Sequence, residues 1–180
     1  MRWLPLTTRF LLLGGLLLEA CGSTDESPGE NEPLARLFIN ELQPSNQDTI
    51  TDEVGEADDW IEIYNDSDTT IEMQGYSFSD SSGLVQTLLG SIPVQPRACK
   101  LFWADDSPGQ GPNHLGFKLS ASAGDWVTLK DRLGRTLDHV SFGPATGQNT
   151  YARFPDGTGS FAWCGVPTPG ASNGASCASP

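Results

Sequence analysis

Carboxylates dominate the chemistry open to this sequence. Asp48, Asp52, Glu53, Glu56, Asp58 and Asp59 crowd the stretch NQDTITDEVGEADDW that ends at Trp60. Hard cations such as Ca²⁺ take roughly six to eight oxygen ligands, and an acidic loop supplies several of these together with backbone carbonyls. Asp52, Glu53, Glu56 and Asp58 are therefore the expected ligands of a Ca²⁺ site. The loop is not an EF-hand, because the alternating Asp or Asn, central Gly and terminal Glu do not fall at the required spacing. The competing reading is a solvated acidic loop that keeps a sheet end from associating.

Glu41 and Glu62 form a second candidate group. Glu62 sits in the alternating run WIEIY, on the face opposite Ile61 and Ile63, and Glu41 is similarly placed in FINEL. Two such carboxylates resemble a glycosidase dyad. Alternatively, each accepts hydrogen bonds from turn backbone or pairs with an arginine such as Arg153, which would fix loops to a sheet. A Ser-His-Asp triad is not expected. Asp138 and His139 are neighbours in an extended run, so their side chains leave on opposite faces, and the G-x-S-x-G string GASNG at 170–174 falls in a turn-rich segment without the strand-to-helix turn that an elbow needs. Cysteine-histidine zinc chemistry is not expected either, since there is no C-x-x-C pair and His114 and His139 lack matching ligand spacing.

The elements that must position these groups read as short strands. Leu37 to Gln43, Trp60 to Tyr64, Tyr76 to Ser79, Cys99 to Trp103, Trp126 to Lys130 and Leu137 to Phe142 alternate apolar and polar residues. Shorter candidates are Thr70 to Met73, Thr87 to Leu89, Gly116 to Leu119, Tyr151 to Phe154 and Phe161 to Trp163. Gly, Pro, Asn, Asp and Ser fill the intervals, which is turn chemistry. No window carries a sustained helical period, so the chain is expected to be an all-β sandwich or barrel. Trp60, Trp103, Trp126 and Trp163 fall in these strands and are expected in or beside the core rather than as a sugar-stacking platform. The loops after Gln43 and after Ala104 would lie at sandwich ends, where binding surfaces sit.

The N-terminus carries an address. Arg2 and Arg9 precede a nine-residue apolar run from Phe10 to Leu18, too short to span a bilayer, which needs roughly 20 residues. Residues 1–20 are expected to be a cleaved signal. Leu18, Ala20 and Cys21 resemble the lipobox of bacterial lipoproteins, which implies that Cys21 is acylated and anchors the chain through lipid. Gly22 after the cysteine suggests the outer membrane of a bacterial envelope. Residues 21–36 then form an acidic, proline-bearing tether. Three cysteines remain for an oxidising compartment. Cys164 and Cys177 bracket a turn-rich segment, and a bridge between them would staple the tail, residues 174–180, to the domain. Cys99 is expected to be a small buried apolar residue.

Length and charge narrow the classes further. The 180 residues make one domain rather than two. With 10 Lys and Arg against 23 Asp and Glu, the formal charge of -13 repels nucleic acid and anionic lipid surfaces. Protein or glycan partners in the envelope remain.

Several motifs then line up in order: FINEL (38–42), DWIEIYN (59–65), LFWAD (101–105), FKLS (117–120), VTLKD (127–131), YARFPDG (151–157) and TPGASN (168–173). Together they resemble a bacterial lamin-tail domain spanning residues 37–173. The resemblance implies an immunoglobulin-like β-sandwich without a recognised catalytic site, usually a binding or anchoring unit. It also implies that Glu41, Glu62, Asn65 and Arg153 are structural polar residues. The expected function is a non-catalytic, lipid-anchored envelope module. A Ca²⁺-binding structural module and a small carboxylate-dependent hydrolase are the alternatives, and no cofactor other than Ca²⁺ is implied.

Overall fold

The computed structural model describes residues 32–174 together with Met1 and Cys177. The signal segment, Cys21 and the tether as far as Asn31 lie outside the described residues. Among the described residues no helix is long and apolar enough to cross a membrane.

The chain runs through strands β1 (Leu37–Gln43), β2 (Asp59–Asn65), β3 (Ile71–Glu72), β4 (Ser77–Asp80), β5 (Val85–Thr87) and β6 (Pro93–Val94). It continues through β7 (Cys99–Ala104), β8 (His114–Leu115), β9 (Asp125–Lys130), β10 (Thr136–Phe142), β11 (Thr150–Phe154) and β12 (Ser160–Cys164). A six-stranded sheet has the order β12-β11-β1-β2-β7-β8, and a four-stranded sheet the order β10-β9-β4-β5. The short pair β3-β6 forms a separate two-stranded sheet. This is an all-β, immunoglobulin-like sandwich.

Alternation explains the layers. Ile39, Ile61, Ile63 and Phe102 from the larger sheet meet Phe78, Val127, Leu129 and Val140 from the smaller one, all of them buried. Phe78 and Phe102 pack with ring centroids 5.0 Å apart. In β1 the alternation is reset by a bulge. Ile39 pairs with Ile63 and Glu41 with Glu62, which leaves Asn40 as the extra residue. The reset sends Leu42 into the core opposite Ile61 and turns Glu41 onto the outer face beside Glu62.

Two short elements differ from the sequence reading. The strand expected from Thr87 lies instead at Val85–Thr87, paired with β4. The strand expected at Gly116 to Leu119 is replaced by β8 just before it, while Phe117 and Leu119 drop into the core from an irregular segment. Alternating burial there comes from loop backbone tied to Asp105, which bridges Lys118, so periodicity alone could not separate the two cases. Of the tryptophans, Trp60 and Trp103 are buried on the outer face, and the Trp60 indole N–H donates to Gln43 Oε1 at 2.7 Å. Trp163 packs edge-on against Phe142, and Trp126 lies beside His139.

Candidate functional site

The β1–β2 loop, the end of β7 and β8 meet at one end of the sandwich. Antiparallel pairing puts Asp59 opposite Ala104, and parallel pairing puts Ala104 beside Leu115. Residues distant in sequence are thereby brought together. Asp52 is 8% exposed, and its Oδ1 accepts from the amides of Val54 and Glu56, which closes a tight turn around Gly55. Its second oxygen, Oδ2, is buried and has no hydrogen-bond partner. Asp105 and His114 are also buried, and His114 Nδ1 lies 2.5 Å from Asp105 Oδ2. The other ring nitrogen, Nε2, is 3.0 Å from Glu53 Oε1. Burial disfavours charge on the ring, yet the hydrogen bonds to Asp105 and Glu53 outweigh it and raise the His114 pKa.

Two sets of side chains here can converge on an ion. Asp52, Glu56 and Asp58 bring one oxygen each within 4.8 Å of one another, as do the ligand atoms of Asp52, Asp105 and His114. Of the four residues expected as Ca²⁺ ligands, three come together. Glu53 is directed at His114 instead. The outer carboxylates are already engaged, Glu56 by the Gln110 amide at 3.1 Å and Asp58 by Lys118 Nζ at 3.5 Å. A depression of about 430 Å³ lined by Glu56, Ala57, Asp58, Asp105, Ser107 and Lys118 opens this end to solvent. Asp59 turns inward, where burial lifts its pKa to about 6 against the amide of Leu119.

Glu41 and Glu62 meet on the outer face of the larger sheet, but not in a cleft. The segment after β12 lies across them. The Thr168 amide and hydroxyl donate to Glu41 at 3.0 and 2.9 Å, and the Gly170 amide donates to Glu62 Oε2 at 2.6 Å. Asn40, the bulge residue, donates to Glu62 Oε1 and to Asp156, and accepts the Gly157 amide. Gly157 is required there: its φ is +72°, and a Cβ would stand 2.8 Å from the Tyr64 ring. Asn173, wholly buried, donates to the carbonyls of Asn40 and Arg153. Burial raises the pKa of Glu62 to about 7 despite its donors, and raises that of Glu41 as well. The Cys164–Cys177 disulfide, with Cα atoms 4.8 Å apart, closes this strap.

Arg153 does not pair with either glutamate. Its neighbour Ala152 pairs with Glu41 and shares that outer face, so Arg153 points the other way. There it forms a double hydrogen bond with Asp138 at 2.9 Å and donates to the Ile39 carbonyl, tying β10 to the larger sheet. Asn65 ends β2 by donating to the carbonyls of Thr69, Val94 and Gln95 and accepting from Ser67. Cys99 is half-buried beside Glu62, and burial first, then that carboxylate, push its thiol pKa up. The His139 ring lies against Thr128 and Ser141, and only its backbone amide donates to Asp138 Oδ1, at 2.8 Å. Sequence reasoning missed Asp105 and His114 as members of the acidic end. The only available signal was a second acidic, proline- and glycine-rich loop from Asp105 to Pro112 ending at a histidine.

A family model for the lamin tail domain matches residues 30–144. No curated protein matches the chain. The matched span ends before β11 and β12, the two strands that join β1 in the larger sheet and lead into the strap.

Proposed function

Since the chain belongs to the lamin tail domain family, we propose that it is a non-catalytic binding and structural module of the bacterial cell envelope. Lipid on Cys21 holds it at the outer membrane, and the acidic end of its sandwich is turned to a protein or glycan partner. The family points to a structural or binding module rather than an enzyme. One observation carries the reading for this chain. The carboxylates best suited to hydrolysis, Glu41 and Glu62, spend all four oxygens on Asn40, Thr168 and Gly170. They lie beneath a strap stapled by the disulfide, so a glycosidic oxygen has no approach to them. The acidic loops, by contrast, border open solvent.

Two experiments test the two halves of this reading. Growth with an alkyne-tagged fatty acid is expected to label the full chain, and Cys21→Ser to abolish both the label and membrane partition. If Cys21→Ser leaves the label in place, the anchor is wrong. Proximity labelling in the native host is expected to recover an envelope partner that is lost when Glu56 and Asp58 are neutralised together. Recovery that is unchanged by this neutralisation removes the acidic end from the interface. A second reading, a Ca²⁺-binding structural module, is favoured by the convergence of Asp52, Glu56 and Asp58. Millimolar Ca²⁺ must then raise the melting temperature, because a ligand of the native state stabilises it.

A further inference from the structure

We propose that Asp52, Asp105 and His114 form a site for a first-row divalent transition ion, with Zn²⁺ the natural occupant. Three chain segments deliver these side chains to one point, each with a ligand atom within 4.8 Å of the others. All three residues are more than nine-tenths buried. The carboxylate of Asp52 is fixed by its own turn. Val54 and Glu56 hold Oδ1 at 2.9 and 2.8 Å, so the side chain cannot rotate to find a partner for Oδ2. That oxygen is nevertheless buried and unpaired. A buried carboxylate oxygen with no donor costs free energy, and a cation bound between Asp52, Asp105 and His114 relieves that cost.

The donor set selects the ion. An imidazole nitrogen with two carboxylates suits Zn²⁺ and its neighbours, whereas Ca²⁺ and Mg²⁺ take oxygen alone. The oxygen-only group of Asp52, Glu56 and Asp58 is the poorer site, because Lys118 already stands beside Asp58 and Gln110 holds Glu56. Glu53, whose side chain is 58% exposed, accepts from His114 Nε2 at 3.0 Å on the ring edge away from Asp105 and so orients the imidazole with Nδ1 toward the ion, as an outer-shell partner does. Gly111 leaves the space for this contact: a Cβ there would come within 3.3 Å of both Glu53 Oε1 and the His114 ring. Ser107 donates its amide to Asp105 Oδ1 at 2.9 Å, which fixes that carboxylate from behind in the manner of the outer-shell partners around metal ligands.

The test is calorimetric titration of the full lipidated chain in detergent with Zn²⁺ alone and, separately, with Ca²⁺ alone. One Zn²⁺ per chain is expected, with Ca²⁺ at least 100-fold weaker. Asp52→Asn keeps an oxygen for the turn and is expected to fold. It should weaken Zn²⁺ by more than the roughly 100-fold that loss of an outer-shell partner can cost. His114→Gln should do the same, whereas His139→Gln and Cys99→Ser should leave affinity unchanged. Should His114→Gln fail to fold, the visible spectrum of the Co²⁺-loaded chain decides, since its bands must change in Asp52→Asn. The proposal is overturned by absence of Zn²⁺ binding, which would make the Asp105–His114–Glu53 chain a plain ion pair. Zn²⁺ affinity untouched by Asp52→Asn overturns it equally, as does Ca²⁺ binding that is the tighter of the two.

Discussion

Two acidic regions of the same sandwich use their carboxylates in opposite ways. Under the strap, Glu41 and Glu62 face each other on the outer sheet surface, and every oxygen has a donor from Asn40, Thr168 or Gly170. At the loop end, Asp52 is as well ordered by its turn, yet one of its oxygens is buried and idle. A satisfied buried polar network specifies a structure, and an incomplete one marks a place where something is missing. Residue type does not distinguish the two regions. What distinguishes them is whether the chain itself brings the donors. The strap is the chain's own ligand for Glu41 and Glu62, and the loop end has no equivalent.

The sharpest way to break that contrast is to take a donor from the strap. Asn173→Ala removes the amide that serves the buried carbonyls of Asn40 and Arg153. At about 1–3 kcal/mol for each orphaned group, the loss is roughly 4 kcal/mol of unfolding free energy, read from urea titration. A cost below about 1 kcal/mol would show that water replaces the strap without penalty, and the distinction between the two regions would collapse. Opening the staple comes next. Cys164→Ser with Cys177→Ser frees a segment with a sequence separation of 13, for which the chain-entropy account gives about 3 kcal/mol. The same pair of substitutions should expose Glu62 to solvent and bring its pKa down toward the ordinary carboxylate range.

Proton linkage separates the two regions by a third route. Burial holds Glu62 at about 7, above its value in the unfolded chain. A carboxyl with a raised pKa binds its proton more tightly when folded. Its stabilising contribution is therefore complete below the unfolded value and fades as pH rises through about 7. The difference in stability between the native chain and Glu62→Gln should shift by roughly 2 kcal/mol between pH 5 and pH 7, in the direction of lower native stability at the higher pH. Urea titrations at the two values check this. Parallel pH profiles for the two proteins would mean that Glu62 is solvated despite its burial.

The difference between the regions also governs how much of each was legible in the sequence. Alternation in Leu37 to Gln43 and Trp60 to Tyr64 fixed the strands and put Glu62 on the outer face, because period two is a local property. The bracketing of a turn-rich segment by Cys164 and Cys177 was likewise legible from neighbours in the chain. What alternation could not supply was the bulge at Asn40, which needs the register with β2 to be seen. Nor could it show that Arg153 would find Asp138, a partner on the other sheet. His114 was hidden for the same reason: 61 residues separate it from Glu53, and ligand-spacing rules look only for local pairs. The loop acids were visible as a cluster, but their division into inner Asp52 and outer Glu56 and Asp58 is set by the turn around Gly55 and by Lys118.

The smallest expected effect concerns those outer acids. Glu56→Gln with Asp58→Asn removes two negative charges from an end that also holds Asp52, Glu53, Asp59 and Asp105. It breaks only the contact of Asp58 with Lys118, whose side chain is 60% exposed, and weakens that of Glu56 with Gln110. Surface pairs of this kind contribute about 0–1 kcal/mol, and relief of like-charge repulsion offsets part of the loss, so stability should change by less than about 0.5 kcal/mol in either direction. Asp52 keeps its turn, because Oδ1 is held by backbone amides that the substitution does not touch. Zn²⁺ affinity should therefore fall only slightly, through the weaker field, and should do so less at high salt, where exposed charges are screened. A large stability loss would mean that the outer acids belong to the folded framework as Glu41 and Glu62 do. A near-complete loss of Zn²⁺ would move the ion outward to Glu56 and Asp58, and would make the idle oxygen of Asp52 a shared ligand of an oxygen-rich site.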